Sequence, residues 1–121
     1  MIVAALLLAT ASPDPIVGIW EGASLCQVKP SPCHDERVVY HVTALANGRY
    51  QIAGYKVVSG KEQFMGNVEV GLDPKSGSLS GKTIDRSGRS SSWTFVRHGN
   101  HLSGRLISDG ALFRLIEVTK R

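Results

Sequence analysis

From Glu36 to Lys120 a glycine-bearing turn recurs at intervals of roughly 8–12 residues, the spacing of a succession of hairpins. The turns are Asn47-Gly48, Ser59-Gly60-Lys61, Asp73-Pro74-Lys75-Ser76-Gly77, Arg86-Ser87-Gly88-Arg89, Gly99-Asn100 and Asp109-Gly110. Between them lie short runs rich in Val, Ile, Tyr, Phe, Trp and Thr, residues that suit a pleated, half-buried surface. Connections this short make sequential strands antiparallel neighbours. No useful 3.6-residue apolar period competes with this pattern. The chain is an all-β meander.

Strands are expected over Ile16 to Leu25, Glu36 to Leu45, Arg49 to Val58, Glu62 to Leu72, Ser78 to Asp85, Ser90 to His98, His101 to Ser108 and Ala111 to Lys120. Alternation assigns their inner faces: Val38, Tyr40, Val42 and Ala44 together, then Tyr50, Ile52, Gly54, Lys56 and Val58. Phe64, Gly66, Val68, Val70 and Leu72 share the next face, and Trp93, Phe95 and Arg97 another. About eight strands in simple succession is the count that closes into a small up-and-down antiparallel barrel. An open sandwich of two four-stranded sheets is the other arrangement this pattern permits. At 121 residues the chain is one domain. A core of that size buries only about two-thirds of the unfolded surface.

Ile2 to Leu8 is continuously apolar, and Ala9-Thr10-Ala11 has the small-x-small form of a signal-peptidase site. Residues 1–11 therefore read as a leader and 12–121 as the barrel domain. The apolar run is too short to span a membrane, so no stable membrane insertion is expected after processing. The two cysteines, Cys26 and Cys33, flank a loop stiffened by Pro30 and Pro32. A zinc site with His34 and Asp35 or Glu36 would show tighter cysteine pairs and four clear ligands. The pair reads as a disulfide of an exported chain, periplasmic or secreted. The net charge of +4 is mild, and Arg37, Lys56, Lys82, Arg97, Arg105 and Arg114 are scattered. Without a basic face interleaved with aromatics, nucleic acid is not an expected partner.

Gly18-Ile19-Trp20 in the first strand, with Arg114 in the last, resembles the calycin pattern of lipocalins, avidins and fatty-acid-binding proteins. That resemblance implies a lipocalin-like barrel in which Trp20 plugs one end and Arg114 packs across its ring, a favourable guanidinium–indole contact. Trp20-Glu21-Gly22, Cys26, Ser31-Pro32-Cys33-His34-Asp35-Glu36 and Val38-Val39-Tyr40-His41 also resemble small exported bacterial proteins that carry no assigned activity. This second likeness implies export, the disulfide and the barrel.

The inner faces nominate a site. Trp20, Tyr40, Tyr50, Phe64, Trp93 and Phe95 are expected to line the interior, with Lys56 or Arg97 receiving the polar end of a small apolar or amphipathic ligand. The alternative is a packed barrel acting as an interaction or inhibitor-like envelope module, whose partner protein would meet the disulfide loop and His34, Asp35 and Glu36. His98 and His101 flank a turn and read as exposed histidines rather than metal ligands. Neither a G-x-S-x-G elbow nor a free cysteine nucleophile is present. A non-enzymatic binder with no cofactor and no metal is the expectation.

Overall fold

Asn47, Ser59 and Asp109 adopt φ of 60°, 53° and 49°, each followed by a glycine at 72°, 77° and 81°. Two successive positive φ values define the primed turn whose twist matches the flanking strands. These turns organise a computed structural model that describes residues 14–28, 32–84 and 86–121. The expected leader lies outside the described residues, as do Pro30, Ser31 and Asp85.

Eight strands follow in order: β1 (Gly18–Cys26), β2 (Glu36–Ala44), β3 (Arg49–Val58), β4 (Lys61–Leu72), β5 (Ser78–Ile84), β6 (Ser90–His98), β7 (His101–Ser108) and β8 (Ala111–Lys120). Each pairs antiparallel with the next, and β8 returns to β1 to close the barrel. An open sandwich is thereby ruled out. The seam between first and last strands runs from Trp20 opposite Lys120 to Cys26 opposite Arg114.

One end is filled solid. Trp20 is fully buried among Val42, Tyr50, Val70, Leu79, Leu102 and Val118. Its indole N–H donates to the carbonyl of Ile16 at 3.0 Å, so the chain entering β1 folds across the barrel end. Asp14 fastens that strap, accepting from the Ile16 amide at 2.9 Å and from the Tyr50 hydroxyl at 2.6 Å. The cation against the indole is Lys120, whose Nζ lies 5.8 Å from the ring centroid. Arg114 does not take that place. Its register sets it beside Cys26, at the other end of the same strand pair.

Aromatic rings settle onto glycines across the strands. Phe95 faces Gly104, and Tyr40 faces Gly54 with ring carbons 3.5–3.6 Å from where a Cβ would stand. Two bulges interrupt the ladders. Gly54 pairs with Gly66 but Tyr55 with Phe64, leaving Met65 as an extra residue in β4. Leu106 pairs with Arg114 but Ile107 with Leu112, leaving Phe113 extra in β8. A bulge reverses the facing of everything beyond it. Phe64, expected inside, is accordingly outside and 58% exposed, its ring 5.4 Å from that of Tyr55.

The ladder between β4 and β5 is short. Only Gly71 with Ser80 and Leu72 with Leu79 are paired there. Every other neighbouring pair of strands shares seven or more such positions.

Candidate functional site

Above the packed end the barrel is hollow. A cavity of about 450 Å³ lies towards the end that carries the disulfide. Ile52, Val68, Phe95 and Leu106 form its apolar wall, and Trp93 stacks at 6.4 Å beside Phe95. Tyr40 meets Phe95 edge-on at 6.2 Å. On one side the cavity reaches Met65, Gly66 and Asn67 of β4 and Thr83 of β5, the stretch where those strands have ceased to pair. The Met65 bulge thus stands at the edge of the hollow, a common station for such irregularities beside functional sites.

Opposite this wall is a polar corner built by three strands. Ser24 of β1, Glu36 of β2 and Arg114 of β8 all contribute. Ser24 pairs with Glu36, and Arg114, opposite Cys26 two residues further along β1, reaches back to Ser24. Arg114 Nη1 donates to the carbonyl and hydroxyl oxygens of Ser24, both at 3.1 Å. The same nitrogen lies 3.6 Å from Glu36 Oε1. The two charged side chains are only 13% and 25% exposed, so their mutual neutralisation is weakly screened. Tyr40 completes the corner. Burial pushes its phenol well above its ordinary value, with Arg114 pulling down and Glu36 adding to the rise. Its hydroxyl makes no hydrogen bond to any described residue, nor do Nε and Nη2 of Arg114. Donors left unused on residues that line an apolar hollow are groups able to orient a ligand.

The nominated residues separate into groups. Tyr40, Trp93 and Phe95 line the cavity. Trp20 and Tyr50 belong to the solid end beneath it. Lys56, opposite Val38 by register, is half-buried at the rim and outside the lining. Arg97 lies in the groove at the strapped end with Asp14 and Tyr50, and its Nη1 donates to the Gly99 carbonyl at 2.9 Å. The two cations expected to meet a ligand therefore do not enter the hollow. Arg114 does.

The His34-Asp35-Glu36 cluster likewise divides. Asp35 accepts from the Cys26 amide at 2.8 Å, tying the loop that the Cys26–Cys33 disulfide closes. Glu36 faces the cavity, and His34 is exposed. His98 and His101 stand opposite one another, with His101 bonded to Glu117. Among the described residues no three His, Cys, Asp or Glu side chains converge on a common metal position.

Sequence reasoning missed Glu36 and Arg114 as a cavity pair. Its one available signal was the alternation Arg114, Ile116, Val118, which assigns Arg114 to an inner face. The class that fold and cavity define is a closed, eight-stranded, antiparallel up-and-down barrel, consistent with a calycin-like fold. No protein-family model matches this chain, and no curated protein matches it.

Proposed function

We propose that this protein is an exported, non-enzymatic binder of a small amphipathic molecule held inside the barrel. The observation that carries this is the 450 Å³ hollow, whose volume falls within the range of small-molecule pockets. An interaction module with a packed core would need no such space. The apolar wall of Ile52, Val68, Phe95 and Leu106 supplies the burial, and the free donors of Tyr40 and Arg114 supply the orientation. The Cys26–Cys33 disulfide supports export, since such pairs persist in oxidising compartments.

Native mass spectrometry of protein purified from its own host tests the proposal. The expected spectrum contains a species heavier than the chain by one small molecule, released on denaturation. Recovery of the bare mass alone under gentle conditions contradicts it. Alkylation of the same sample tests export, because two free thiols at Cys26 and Cys33 overturn the oxidised assignment.

A further inference from the structure

The polar corner also bears on what kind of head group the cavity takes. Of the described residues that line the hollow, only Glu36 and Arg114 carry charge, and they carry opposite charges 3.6 Å apart. The corner is thus electrically balanced before any ligand arrives. A carboxylate placed there would set two negative groups against one guanidinium, in surroundings walled by Phe95, Trp93 and Leu106. Like charges gathered at low dielectric repel strongly, and an uncompensated buried charge is costly. A neutral hydrogen-bond acceptor meets no such penalty.

The donors suit that acceptor. Tyr40 is 95% buried by its 5% exposure, and its hydroxyl has no protein partner among the described residues. Arg114 spends Nη1 on Ser24 and Glu36 and keeps Nε and Nη2 unused. A hydroxyl and a guanidinium N–H both donate to a carbonyl oxygen, which has two lone pairs to receive them. We infer that the barrel selects an uncharged amphiphile with a carbonyl head, an ester or ketone class of ligand, and discriminates against the carboxylate of the same chain through Glu36. This rests on the cavity being a binding site, as proposed above.

Methyl laurate and laurate separate the two cases, because they share an alkyl chain and a carbonyl and differ in charge. Binding of each is followed at pH 8 by the fluorescence of Trp93 in a Trp20→Phe background, with the wild-type chain run alongside by isothermal calorimetry. The ester is expected to bind at least about tenfold more tightly than the acid, equivalent to about 1.4 kcal/mol. Glu36→Gln removes the competing carboxylate, and laurate affinity is expected to rise about tenfold, which narrows or abolishes the preference for the ester. Tyr40→Phe is expected to weaken the ester severalfold. Tighter binding of laurate by the unaltered chain overturns the head-group inference and leaves the cavity proposal standing. Failure of both compounds to bind the unaltered chain overturns the two together. An unchanged preference in Glu36→Gln removes Glu36 as the discriminating group and overturns the inference as stated.

Discussion

Adding one methyl group at Gly104 tests how the hollow is framed. A Cβ there would stand 2.6 Å from Cδ1 and Cε1 of Phe95 and 3.3 Å from Cβ of Ile116. Carbon atoms prefer separations of about 3.5–4.0 Å, so the ring must retreat by roughly 1 Å. Phe95 is fully buried, yet one side of it faces the cavity, so the ring has somewhere to go. That route keeps the overpacking cost of Gly104→Ala towards the lower end of about 1–3 kcal/mol. Against it stands about 0.5–1 kcal/mol gained by replacing a strand glycine. The net loss is about 0.5 kcal/mol, which urea unfolding would register as a midpoint lowered by roughly 0.2–0.3 M. Gly54→Ala is the internal control, since its Cβ would sit 3.5 Å from Tyr40, an ordinary contact. It is expected to leave stability unchanged or slightly raised. In a Phe95→Leu background the cost of Gly104→Ala should largely vanish, a coupling that a double-mutant cycle reads directly. Equal costs in both backgrounds, or a Gly104→Ala variant as stable as the parent, would refute the proposed packing of ring on glycine.

Other consequences are as direct. Tyr50 is held up to about 12 by its hydrogen bond to Asp14, with burial and the Asp14 charge adding to the rise. A raised value means that this stabilisation is complete below the ordinary value of 10.0 and is lost as pH climbs through about 12. Asp14→Ala should return the titration, followed by phenolate absorbance, towards 10.0 and flatten that alkaline decline. Reduction of Cys26–Cys33 opens a short loop and should cost about 2–3 kcal/mol, read as a lower melting temperature in reductant. Lys120→Met should remove about 1 kcal/mol and alter Trp20 emission in a Trp93→Phe background, whereas Arg114→Met should leave that emission in place. Amide exchange should be fastest, among the strands, at the start of β4 and the end of β5, where the ladder is missing.

The turns made most of this fold legible from sequence. Asn47-Gly48 and Asp109-Gly110 need positive φ, and residues that tolerate it stand there, so strand limits and order followed. Facing was lost in β4, where a bulge intervened. Simple alternation carries Phe64 inward from Gly66 and Val68, and one extra residue at Met65 reverses it. An isolated glycine in a strand is the only local sign of such a bulge, and β3 and β4 each offer one opposite the other. The site was less legible because it is assembled by barrel closure. Glu36 and Arg114 are far apart in the chain, and only the pairing of β1 with both β2 and β8 brings them to Ser24. The same closure gives Lys120, rather than Arg114, the place against Trp20.

Titration with a fluorescent apolar probe such as N-phenyl-1-naphthylamine tests the central claim most directly. The hollow predicts saturable, one-site enhancement in the parent chain. Val68→Trp and Leu106→Phe, both on the apolar wall, should abolish or sharply weaken it while each still unfolds cooperatively. Binding that survives in both folded variants, or no binding by the parent, contradicts a ligand held inside this barrel.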